Sequence, residues 1–139
     1  MLSIIRQTRS PRKATAAVEF AAVLPLIVLL LLGGVELGRA LMIQHELQGA
    51  AQAGCRVYSV SDSTTQDAED IIAAAMDEAG VSNYEISYEP ANKSDIVTKL
   101  EPVTVAVRVN YADVAYFAPS FFNGSAITGS STMPAEVTE

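Results

Sequence analysis

From Phe20 to Val35 the chain has sixteen consecutive residues without a charged or polar side chain. It is the longest apolar run in the sequence, and glutamates bracket it at Glu19 and Glu36. As a helix it would be about 24 Å long, slightly short of a bilayer core. Including Thr15 to Val18 brings the count to 20 apolar or small residues with Glu19 embedded among them, which is enough. A segment like this must be covered by lipid, by other helices or by a core, and the rest of the chain reads as what it carries.

Charge gives the segment a direction. Residues 1–14 contain Arg6, Arg9, Arg12 and Lys13 and no acid, whereas the remainder holds five basic and sixteen acidic side chains. A basic tip beside an apolar helix places the N-terminus in the cytoplasm and the acidic body outside. The acidic body argues against nucleic acid, whose phosphates it would repel. One cysteine, Cys55, excludes an internal disulfide, and one histidine, His45, leaves too few ligands for a His/Cys metal cluster. No nucleophile–base pair and no glycine-rich phosphate loop stands out, so the expectation is a non-enzymatic protein without a cofactor.

Three plain readings compete for the apolar run: a signal peptide, a simple anchor and a buried core helix. A signal peptide would have a shorter apolar region and a small-residue cleavage site, for which Gly38-Arg39-Ala40 is a poor candidate. Glu19 counts against all three. A carboxylate at the start of a membrane helix is costly unless interfacial, paired or neutralised. It gains from the positive helix N-terminus. It would gain more from an α-ammonium at Thr15, one turn away, if the chain were cut after Ala14.

Those residues carry a resemblance. Ala14-Thr15-Ala16-Ala17-Val18-Glu19-Phe20 resembles a type IV prepilin cleavage motif, with a small residue, the cut, and glutamate fifth after it. Glycine is usual before the cut, and Ala14 stands there in this chain. The longer string from Ala14 to Leu26, with Pro25 inside the helix, is similar to the TadE family. These are pseudopilins of the tight-adherence (Flp pilus) system. Leu47-Gln48-Gly49-Ala50-Ala51-Gln52-Ala53-Gly54-Cys55-Arg56 also resembles a TadE signature, and the tail Ser130 to Glu136 does so in part, with Pro134 in place of the usual basic residue.

The resemblance implies a minor pseudopilin of pilus assembly, single-pass in the bacterial inner membrane with its C-terminal domain outside. A prepilin peptidase would process it between Ala14 and Thr15. Glu19 would pair with an N-terminal ammonium. The implied partners are that peptidase, other Tad components and pseudopilins, and membrane lipid. The alternative is an uncleaved single-pass protein displaying a small extracytoplasmic binding domain.

Gly34 and Gly38 form a small-xxx-small spacing that allows another helix to approach closely. Glu36 and Arg39, three apart, are placed to pair on the helix surface. Met42, Ile43, Leu47, Ala50, Ala51 and Cys55 continue a helical pattern, so one helix is expected from near Thr15 to near Val60. Cys55 reads as a small buried thiol and His45 as a surface residue.

Beyond a polar break, Ser63 and Gln66 fit a capping box for a second helix over Thr65–Ala79, with Ala68, Ile71, Ile72, Ala75, Met76 and Ala79 as its apolar stripe and Gly80 as its stop. Tyr84, Ile86 and Tyr88 alternate with polar residues as a half-buried strand. Val103, Val105, Val107, Val109 and Tyr111 do so as a stronger one, and a last strand is expected over Ile127–Met133. Phe117, Phe121 and Phe122 with Pro119 form an apolar loop, a core cap or a contact patch.

The expected fold is α+β: a long N-terminal transmembrane helix continuing into a small domain with a second helix and a three-stranded, mainly antiparallel sheet. The expected divisions are a basic cytoplasmic leader at 1–14, a transmembrane helix at 15–36, its extramembrane continuation at 37–60, and a small extracytoplasmic α+β domain at 61–139.

Overall fold

The computed structural model describes residues 11–117 and 124–136. The leader residues 1–10 and the loop residues Pro119, Phe121 and Phe122 lie outside them. The fold is α+β as expected. Helix α1 runs over Pro11–Tyr58 with Pro25 inside it, and α2 over Thr65–Glu78. Strands β1 (Glu85–Glu89), β2 (Pro102–Asn110) and β3 (Ala126–Pro134) form an antiparallel sheet in the order β1-β2-β3. A single-turn helix, α3 (Tyr111–Val114), follows β2. The chain divides into two compact units, Met1–Val35 and Glu36–Glu139.

The second unit is built on the C-terminal part of α1. Ile43, Leu47, Ala50, Ala51, Cys55 and Tyr58 are buried at spacings of one, three and four, which is one face of a helix. The alternating valines of β2, Val103, Val105, Val107 and Val109, are buried with them, while Thr104, Ala106 and Arg108 take the opposite face. The Cys55 thiol lies in this core and donates to the Val103 carbonyl at 3.4 Å. Burial pushes its pKa up. His45 is exposed.

Close approach of backbones explains two glycines. Gly129, opposite Val107 in the sheet, sits against the Leu47–Gln48 peptide, where an added Cβ would come within 2.3 Å of the Leu47 carbonyl carbon. Next to it the Gln48 amide grips β3: its Nε2 donates to the Ser130 carbonyl at 2.6 Å, and the Ser130 N–H donates to its Oε1 at 3.2 Å. β3 is an edge strand, so this side chain satisfies backbone groups that the sheet leaves unpaired. Gly54 allows α2 the same proximity, because a Cβ there would lie 2.4 Å from Ile72 Cδ1.

α2 buries Ala68, Ile72 and Met76 and leaves Ile71 more exposed. Its cap is one residue later than the sequence pattern of Ser63 and Gln66 indicates. Thr64 Oγ1 accepts from Asp67 N–H at 3.2 Å, and Asp67 Oδ2 accepts from Thr64 N–H at 2.7 Å. Ser63 is engaged elsewhere, donating to the Val57 and Val60 carbonyls and accepting from Lys93. At the other end Gly80 has φ +69°. Its N–H reaches the Asp77 carbonyl and Val81 N–H the Met76 carbonyl, a Schellman closure with Val81 and Met76 both buried.

Candidate membrane and assembly segment

Every residue from Thr15 to Val35 is exposed, including Phe20, Leu26, Leu29, Leu30 and Leu31. Water does not tolerate an apolar surface of that extent, so the segment requires lipid or other helices around it. The helix is long and apolar enough to cross a membrane.

The residues singled out for processing and assembly lie along this helix. Thr15 and Glu19 are four apart, hence on one helical face, and both are exposed. Ala14 lies in the same helix, just N-terminal to them. A Cβ added at Gly34 or at Gly38 would meet nothing within 4 Å, so no contact among the described residues accounts for either glycine.

Glu36 behaves differently from Glu19. It is 5% exposed and accepts four hydrogen bonds. The Tyr111 hydroxyl donates to Oε1 at 2.9 Å. The Tyr116 N–H is shared between Oε1 at 3.1 Å and Oε2 at 3.3 Å, and the Phe117 N–H donates to Oε2 at 3.1 Å. The expected pairing with Arg39 gives way to this nest. Arg39 Nε donates instead to the Val114 carbonyl at 3.4 Å, and its guanidinium lies 4.8 Å from the centre of the Tyr116 ring. Burial, then the hydrogen bond to Glu36, raises the Tyr111 pKa.

Tyr111 is therefore the first residue of α3 and a ligand of Glu36, where the alternation of β2 made it a further strand position. The nest as a whole is the feature that sequence reasoning missed. Its one local sign is an acid placed directly after an apolar run.

Residues 14–56 match the family model for TadE-like protein. The TadE-like segment begins at the expected cut and ends inside α1, so it covers the apolar run, Glu36 and most of the core-forming face of the helix, and none of the sheet. No curated protein and no solved structure matches the chain. The TadE-like segment and the apolar helix together fit a membrane-anchored protein associated with the Tad pilus.

Proposed function

We propose that this chain is a TadE-like minor pseudopilin that takes part in assembly of the tight-adherence pilus and is not an enzyme. A prepilin peptidase cuts it between Ala14 and Thr15 on the cytoplasmic side of the inner membrane. The new ammonium group on Thr15 is then neutralised by a Glu19 carboxylate, its own or that of a neighbouring subunit. The apolar helix retains the protein in the membrane, and Gly34 and Gly38 admit a second helix. The acidic outer domain meets other Tad components.

The observation that carries this reading is the TadE-like match beginning at Ala14, with Glu19 five residues past the cut. The exposed apolar surface from Thr15 to Val35 supports it.

Intact-mass measurement and N-terminal sequencing of the protein from native membranes test it. A mature chain beginning at Thr15 is expected. A chain still beginning at Met1 favours the uncleaved anchor, and a start near Leu41 overturns the pseudopilin reading in favour of a signal peptide.

A further inference from the structure

Tyr116 and Phe117 are 61% and 59% exposed, two neighbouring aromatic rings turned to the outside of the Glu36–Glu139 unit. They are not loosely placed. Both backbone N–H groups are held by the Glu36 carboxylate, and Arg39 lies against the Tyr116 ring. Glu36 is also the residue directly after the charge-free run. The pair is thus fixed within hydrogen-bond reach of the chain position where the apolar segment ends. In a membrane-anchored protein that position is the membrane–water boundary.

We propose that Tyr116 and Phe117 form a second, shallow membrane contact, seated among the lipid headgroups where the helix leaves the bilayer. This rests on the membrane-anchored reading above. The residue types suit that depth. Tyrosine is enriched at the interface because its ring is apolar and its hydroxyl wet, and phenylalanine supplies apolar area. Arg39 is placed to meet lipid phosphate through a charge-assisted hydrogen bond. A bare carboxylate at that depth would be costly, and Glu36 meets the cost with donors from Tyr111, Tyr116 and Phe117. The nest therefore serves two ends, neutral surroundings for Glu36 and a fixed position for the two rings.

The chain contains no tryptophan, so a single introduced indole reports on its own site. The full chain is reconstituted in phosphatidylcholine–phosphatidylglycerol vesicles whose acyl chains carry bromine near the headgroup. Three variants are compared: Leu29→Trp in the apolar run, Phe117→Trp, and Val97→Trp, an exposed position in the β1–β2 connection. The expected result is loss of emission for Leu29→Trp and a comparable loss for Phe117→Trp, with Val97→Trp unquenched.

Quenching at Leu29→Trp with Phe117→Trp behaving like Val97→Trp overturns the inference and leaves the anchor intact. If Leu29→Trp is not quenched, the membrane reading falls and takes this inference with it. If emission from Phe117→Trp shifts with protein density and ignores bromine, the rings meet a second copy of the chain, which also overturns it.

Discussion

The Tyr111 hydroxyl and the Glu36 carboxylate, 75 residues apart in sequence, meet at 2.9 Å. This bond ties the end of β2 to α1 at the first residue of the folded unit. Removing the acceptor takes the carboxylate away from the Tyr116 and Phe117 N–H groups, whereas removing the Tyr111 hydroxyl leaves Glu36 with those two backbone donors. Glu36→Ala is therefore expected to destabilise the unit by about 3 kcal/mol and Tyr111→Phe by about 1 kcal/mol. Because both act on one network, the double variant should cost less than the sum. Urea unfolding of the detergent-solubilised protein measures all three.

Gly129 and Gly54 differ in what a methyl group would strike. At Gly129 it meets the Leu47–Gln48 backbone, which cannot move without shifting α1 against β3. At Gly54 it meets Cδ1 and Cγ1 of the Ile72 side chain, which can give way by a small shift of α2 without distorting the backbone of α1. Gly129→Ala should cost upward of about 3 kcal/mol and Gly54→Ala about 1–2 kcal/mol. Thermal unfolding ranks them, and equal effects would show that the helix–strand contact yields more easily than its geometry implies.

Tyr88 carries a buried hydroxyl without a hydrogen-bond partner among the described residues, with its ring 4.5 Å from that of Tyr58. Burial chiefly, then the negative charge of Glu69, pushes its pKa up to about 12. The unfolded phenol ionises near 10. This group leaves stability unchanged with pH below that value and lowers it as pH rises from about 10 toward 12, because the unfolded state releases its proton first. Tyr88→Phe should be neutral or stabilising by up to about 1 kcal/mol at neutral pH, since no bond is lost. It should also flatten the alkaline limb of a stability–pH curve. A clear loss of stability at neutral pH would mean that the hydroxyl has a partner.

Glu19→Gln separates the functional readings. The substitution keeps the size and hydrogen-bonding capacity of the side chain and removes the charge that would meet an ammonium at Thr15. The variant is expected to reach the membrane at wild-type level and to lose pilus assembly, scored by complementation of a deletion strain. Wild-type piliation from this variant would favour a plain anchor.

Much of the fold is legible because its signals are local. The apolar run, the helical spacing from Ile43 to Cys55 and the alternating valines of β2 each report the environment of their own segment. Helix α2 begins at Thr65 as expected, but its capping pair is Thr64 and Asp67 in place of Ser63 and Gln66, because two capping patterns overlap there. Asp67 brings a full carboxylate to the helix start, while Ser63 is drawn to Val57, Val60 and Lys93, contacts no short window contains. The Glu36 nest was illegible for the same reason, since its donors lie 75 to 81 residues away. The reason for Gly129 likewise appears only once β3 is laid against α1.

The helix that provides the apolar segment also provides Leu47, Ala51, Cys55 and Tyr58 to the core. Within the Glu36–Glu139 unit, a pull along α1 loads its contacts with the sheet in shear. The grip of Gln48 on Ser130 and the seat of Gly129 on Leu47 resist that sliding together. Under such a load the unit gives way by losing its core, because the helix that is pulled is itself a wall of that core.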